Sequence, residues 1–75
     1  RRGAPVDARA RDGQTSLARA SARGDAVLVE MLLRAGADVA LADVKGRTAL
    51  LLATANRHSA IAVTLRRHIR LQKLG

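Results

Sequence analysis

Residues 12–39 read DGQTSLARASARGDAVLVEMLLRAGADV, and the stretch returns in altered form 33 positions later. Sliding the chain against itself by that offset lays Gly13, Thr15, Leu17 and Ala20 on Gly46, Thr48, Leu50 and Ala53. A fixed period of this length marks a repeat architecture, in which one supersecondary unit stacks on the next. The register extends upstream, where Gly3, Ala4 and Val6 fall on Gly36, Ala37 and Val39. Residues 1–9 therefore read as the tail of a preceding unit, residues 10–42 as one full unit, and residues 43–75 as a degenerate C-terminal capping unit.

Within the first unit, Ser16 to Arg23 is a short Ala-rich helix closed by Gly24-Asp25. Ala26 to Ala35 then sets Leu28, Val29, Leu32 and Leu33 at helical spacing ahead of Gly36. Gly24 and Gly36 stand where a helix end favours a residue free to take positive φ. Between the helix pairs, Ala37 to Gly46 alternates Val39 and Leu41 before Lys45-Gly46, a pattern suited to a short β-hairpin-like loop. The second unit repeats the plan, with helices expected over Ala49 to Asn56 and Ala60 to about Leu71.

The residues Asp12-Gly13-Gln14-Thr15-Ser16-Leu17, Gly24-Asp25, Val29, Met31-Leu32-Leu33 and Gly36-Ala37-Asp38-Val39 resemble the ankyrin-repeat family, from Gly3 to about His68. The resemblance implies an all-α solenoid of stacked helix–turn–helix units joined by short β-hairpin-like loops. It also implies a non-enzymatic scaffold or adaptor that binds another protein, needs no cofactor, and belongs to a larger cytoplasmic or nuclear protein. Partners of such repeats dock on the concave surface of loop tips and inner helices. Carried over position by position, that surface comprises Arg11, Asp12, Gln14, Ala22 and Arg23, then Val44, Lys45, Arg47, Ala55 and Asn56. Arg11, Arg23, Lys45 and Arg47 face one acidic residue, Asp12, so an acidic peptide or protein face is the expected partner; guanidinium groups can grip carboxylates bidentately.

The departures from the family pattern are informative. Where Thr-Pro-Leu-His is usual, the chain has Thr15-Ser16-Leu17-Ala18 and Thr48-Ala49-Leu50-Leu51. The helix-starting Pro and the loop-tying His are both absent, and looser loops are expected. In the second unit the Gly-His turn becomes Arg57-His58, and a Leu-Leu pair becomes Leu65-Arg66. A terminal unit lacks a neighbour on one side, so Arg66, Arg67, His68 and Arg70 read as the polar cover of a cap.

Composition narrows the alternatives. A 75-residue chain hides only about 60% of its unfolded surface, and this one has no Cys or aromatic residue to reinforce its core. His58 and His68 lack the i, i+4 spacing of a shared metal site. Ser16, Ser21 and Ser59 have no Asp-oriented His nearby, as nucleophilic catalysis requires. The glycines occur singly, without a phosphate-cradling cluster, and Asp7, Asp12, Asp38 and Asp43 fall in loops where Asp is an ordinary turn former.

The net charge of +8 favours acidic partners. Ile61, Leu65 and Ile69 beside Arg66, Arg67, Arg70 and Lys73 also describe a basic amphipathic helix, which makes polyanion contact with nucleic acid or an anionic membrane the alternative reading. The lack of aromatic stacking platforms argues against nucleic acid, and the lack of Trp or Phe anchors argues against a membrane. Self-association through an uncapped N-terminal face around Leu17, Leu28 and Leu32 is a further expectation.

Two full units fall short of the three that stable stacking usually needs. The isolated chain is expected to be marginally stable, its first unit exposing an apolar face that an upstream repeat would cover; a cooperative transition above about 60 °C, followed by circular dichroism, would contradict this.

Overall fold

The computed structural model describes residues 8–74, with side-chain surroundings as far as Leu71. Two threonines start the inner helices. Thr15 Oγ1 accepts from the Ala18 N–H and Thr48 Oγ1 from the Leu51 N–H, both at 3.2 Å. Each bond satisfies a first-turn amide that the helix itself leaves without a partner, and so opens α1 (Ser16–Arg23) and α3 (Ala49–Ala55). The proline missing from Ser16 and Ala49 is not needed for the start. Asp25 begins α2 (Ala26–Arg34) in the same way, its Oδ1 accepting from the Leu28 N–H at 3.1 Å, and α4 spans Ser59–Leu74. The expected helices are all present, but α4 runs on past Leu71.

The turn inside each unit is made at the same repeat position by different residues. Gly24, at φ 82°, closes α1, and its N–H donates to the Ala20 carbonyl. A Cβ at this glycine would lie 2.6 Å from the His58 ring, so both the backbone conformation and the neighbouring unit demand its absence. Arg57 stands at the equivalent place in the second unit with φ 63°, where an L side chain crowds the backbone at a cost of about 1–2 kcal/mol.

The described residues form four helices and a single antiparallel bridge between Ala42 and Thr48. α1 packs along α3 closely, whereas α2 and α4 barely meet. Five of the seven buried residues of the inner pair are small, Ala18, Ala20 and Ser21 on α1 and Ala49 and Ala53 on α3; the other two are Leu17 and Leu52. The outer helices fill the wider space behind them with Val29, Leu33, Ile61 and Leu65. Close inner and splayed outer helices curve the stack toward α1, α3 and the loops before them.

Equivalent positions differ in burial according to what lies beside them. Ile61 and Leu65 are 4% and 0% exposed, while their first-unit counterparts Leu28 and Leu32 are only half-buried. Leu33 is buried and its counterpart Arg66 exposed; Arg67 and Arg70 are exposed too, and His68 is half-buried. One expectation is corrected: Leu17, at 1% exposure, is locked in the shared core and offers nothing to an N-terminal association surface. The tail assigned to residues 1–9 lies almost wholly outside the described residues.

Arg57→Gly should relieve the strained turn and stabilise the chain by about 1 kcal/mol, read as a midpoint several degrees higher in thermal denaturation. An unchanged midpoint would mean that the turn carries no strain.

Candidate functional site

The loops that lead into α1 and α3 are built on one backbone pattern. Ala10 N–H donates to the Gln14 carbonyl (3.0 Å) and Gly13 N–H to the Ala10 carbonyl (2.9 Å); Asp43 N–H donates to the Arg47 carbonyl and Gly46 N–H to the Asp43 carbonyl, both at 2.9 Å. Only glycine and threonine are common to these six-residue stretches, so backbone bonding and the glycine conformation reproduce the turn.

The two loops are joined. Val44 N–H donates to the Asp12 carbonyl at 3.1 Å, and Gln14 Nε2 donates to Asp43 Oδ2 at 3.3 Å. Their approach is so close that a Cβ on Gly13 would sit 2.8 Å from the Val44 nitrogen. The looser loops expected from the missing histidine are therefore held by other groups, a backbone amide and a glutamine.

Asp43 is the centre of this arrangement. Its side chain is fully buried, and Oδ1 accepts from the backbone N–H groups of Lys45 and Arg47, each at 2.9 Å. Oδ2 accepts from Arg47 Nε at 2.8 Å and from Gln14. The Arg47 backbone N–H does most to hold the carboxyl down to about 2 from its ordinary 3.8; burial opposes the shift, and the Gln14 amide, the Lys45 N–H and the Arg47 side chain assist it.

Around this centre the residues expected to meet a partner divide. Gln14 and Arg47 are half-buried and bonded to Asp43. Asp12 is exposed; its carboxylate accepts from the Gln14 N–H at 3.0 Å and lies 3.8 Å from Arg19, a half-exposed pair of the kind that contributes little. Asn56 follows α3 and donates from Nδ2 to the Leu52 carbonyl. Arg11 and Lys45 lie on the two loops and Arg23 in the last turn of α1; their exposed side chains make no hydrogen bond or ion pair among the described residues. Val44, beside Lys45, is 72% exposed.

Two residues that matter here were not evident as such from the sequence. Asp43 looked like one turn former among several, and Asp12 and Asp38 are indeed that, each accepting from the N–H two residues on. The only local hint was Arg47 four residues later, where Gln14 stands one period earlier. His58, read only as part of the Arg57-His58 turn, reaches back to the first unit, with Nε2 3.1 Å from the Ala22 carbonyl.

Among the described residues no three His, Cys, Asp or Glu side chains gather as a metal site, and no helix is long and apolar enough to cross a membrane. Curved helix pairs presenting registered loops define a repeat protein that binds through a surface. A family model described as ankyrin repeats (3 copies) matches residues 2–73, and the chain belongs to the ankyrin-repeat family. Domains of this family are generally protein–protein interaction modules and typically not enzymes. No curated protein matches the chain.

Because the Asp43 carboxyl is held low in the folded chain, ionisation favours folding: the contribution is complete above pH 3.8 and drains away as the pH falls toward about 2. Asp43→Asn should lower the melting midpoint at neutral pH by several degrees and flatten its decline across that acid window. Thermal denaturation of both proteins over the same pH series checks this; parallel curves would remove Asp43 from its central role.

Proposed function

We propose that the chain is an interaction module whose loop tips and inner-helix face grip an acidic segment of another protein. The observation that carries this reading is the set Arg11, Arg23 and Lys45, three exposed cations without carboxylate partners among the described residues, standing on and beside loops already held in register. Fixed loops lose little conformational freedom on binding, so more of the contact energy remains as affinity. Val44 offers an apolar contact between the cations, which suits a peptide carrying both carboxylates and an aliphatic side chain.

Gln14 and Arg47 support the face from beneath by holding Asp43. The contact set is accordingly narrower than the full row of loop residues. The variant Arg11→Glu/Arg23→Glu/Lys45→Glu leaves that network untouched and should bind a Glu-rich peptide at least about tenfold more weakly than the parent chain, as read by fluorescence anisotropy with folding checked by circular dichroism. Equal affinity would make this face ordinary solvated surface. Tighter binding of an oligonucleotide than of the peptide, with a steep salt dependence, would favour polyanion contact instead.

A further inference from the structure

Every one of the 6 acidic residues stands at or before Asp43, while residues 44–75 hold half of the 14 Lys and Arg. Arg47 is paired with Asp43, and no carboxylate side chain in 44–75 offsets the remaining cations. The positive field is therefore concentrated on the second unit.

Arg57, Arg66 and Arg70 rim a trough along α3 and α4. One part of it, about 220 Å³, is lined by Thr54, Arg57, Ser59, Ala62, Val63 and Arg66, and the next, about 330 Å³, by Leu50, Arg66, Ile69 and Arg70. Arg66 lines both, so the two parts adjoin at its side chain.

What fits such a trough is visible one unit earlier. One period before Leu50, Thr54 and Ala62 stand Leu17, Ser21 and Val29, all fully buried in the first unit, on which α3 packs closely. The surface is one that receives helices. It differs in the second unit by the replacement of Gly24, Leu33 and Ala37 with Arg57, Arg66 and Arg70. Where α2 has ended at Arg34 before Gly36, α4 continues through the equivalent Ile69, so the backbone does not turn there into another loop of the same register.

We propose that this trough is a second docking surface, which takes a helical segment of a partner protein carrying small apolar side chains against Leu50, Ala62 and Ile69 and carboxylates against Arg57, Arg66 and Arg70. The apolar floor discriminates against nucleic acid, since the chain has no aromatic residue on which a base could stack. A membrane fits poorly as well. The apolar stripe of α4, Ile61 and Leu65, is turned into the core, leaving Val63 and Leu71 among arginines on the outside. None of the loop residues assigned to the first face lines the trough.

The test uses the 75-residue chain and a labelled synthetic peptide of about 18 residues, long enough to form a helix, with Ala and Leu on one face and Glu on its flanks. The expected result is binding at least about tenfold tighter than that of a scrambled peptide of the same composition. Arg66→Glu/Arg70→Glu should abolish that preference, Arg66→Gln/Arg70→Gln should reduce it by a smaller factor, and Arg11→Glu/Arg23→Glu/Lys45→Glu should leave the preference over the scrambled peptide unchanged. All variants are checked for helicity by circular dichroism. Equal affinity for the scrambled peptide, an undiminished preference in both α4 variants, or loss of the preference in the loop variant instead would overturn the proposal. So would tighter binding of a single-stranded oligonucleotide or of phosphatidylserine vesicles than of the peptide.

Discussion

The close approach of α1 to α3 governs the rest of this structure. It is favoured because most of the buried residues of the two helices, Ala18, Ala20 and Ser21 on α1 and Ala49 and Ala53 on α3, project little beyond Cβ, Leu17 and Leu52 being the exceptions. The loops that open these helices are carried to the same spacing, and at that spacing the Val44 N–H reaches the Asp12 carbonyl and Gly13 has room for no side chain. The contact has a cost. Ser21 Oγ is buried without a hydrogen-bond partner among the described residues, a penalty that a hydroxyl incurs wherever burial removes water and supplies nothing in return.

Burial in such a stack belongs to the neighbour as much as to the residue. Leu28 and Ile61 occupy one repeat position, as do Leu32 and Leu65, yet only the second of each pair is closed over, because the first unit lies on it. Leu33 and Arg66 show the converse: the chemistry at one position changes from aliphatic, where it is buried, to charged, where it is exposed. An isolated helix pair could not bury either face. Two pairs together close one core and leave a polar-rimmed surface at one end.

A single carboxylate then decides which loop residues remain open for contact. Asp43 engages Gln14 from the first loop and Arg47 from the second, converting two apparent surface side chains into internal struts. The remaining cations, Arg11, Arg23 and Lys45, stand on a frame that is fixed before any partner arrives. Low local polarity strengthens the bonds to Asp43 and makes their loss more damaging than that of a solvated pair such as Asp12 with Arg19.

The sequence by itself determined the period, the two helix pairs, the positive-φ glycines Gly24 and Gly36 and the family. All of these follow from short-range rules of spacing, capping and backbone freedom, which act within a few residues of one another. Its forecasts failed or ran short where distant groups meet. Leu17 carried no mark distinguishing a buried position from an exposed helix face, and His58 no sign that it would reach Ala22 in the preceding unit. Gln14 and Asp43 are 29 residues apart, and only the stacking of α1 on α3 brings the amide to the carboxylate. The tertiary structure alone decided which charges are struts and which are free, because that depends on distances across the stack that no local pattern encodes.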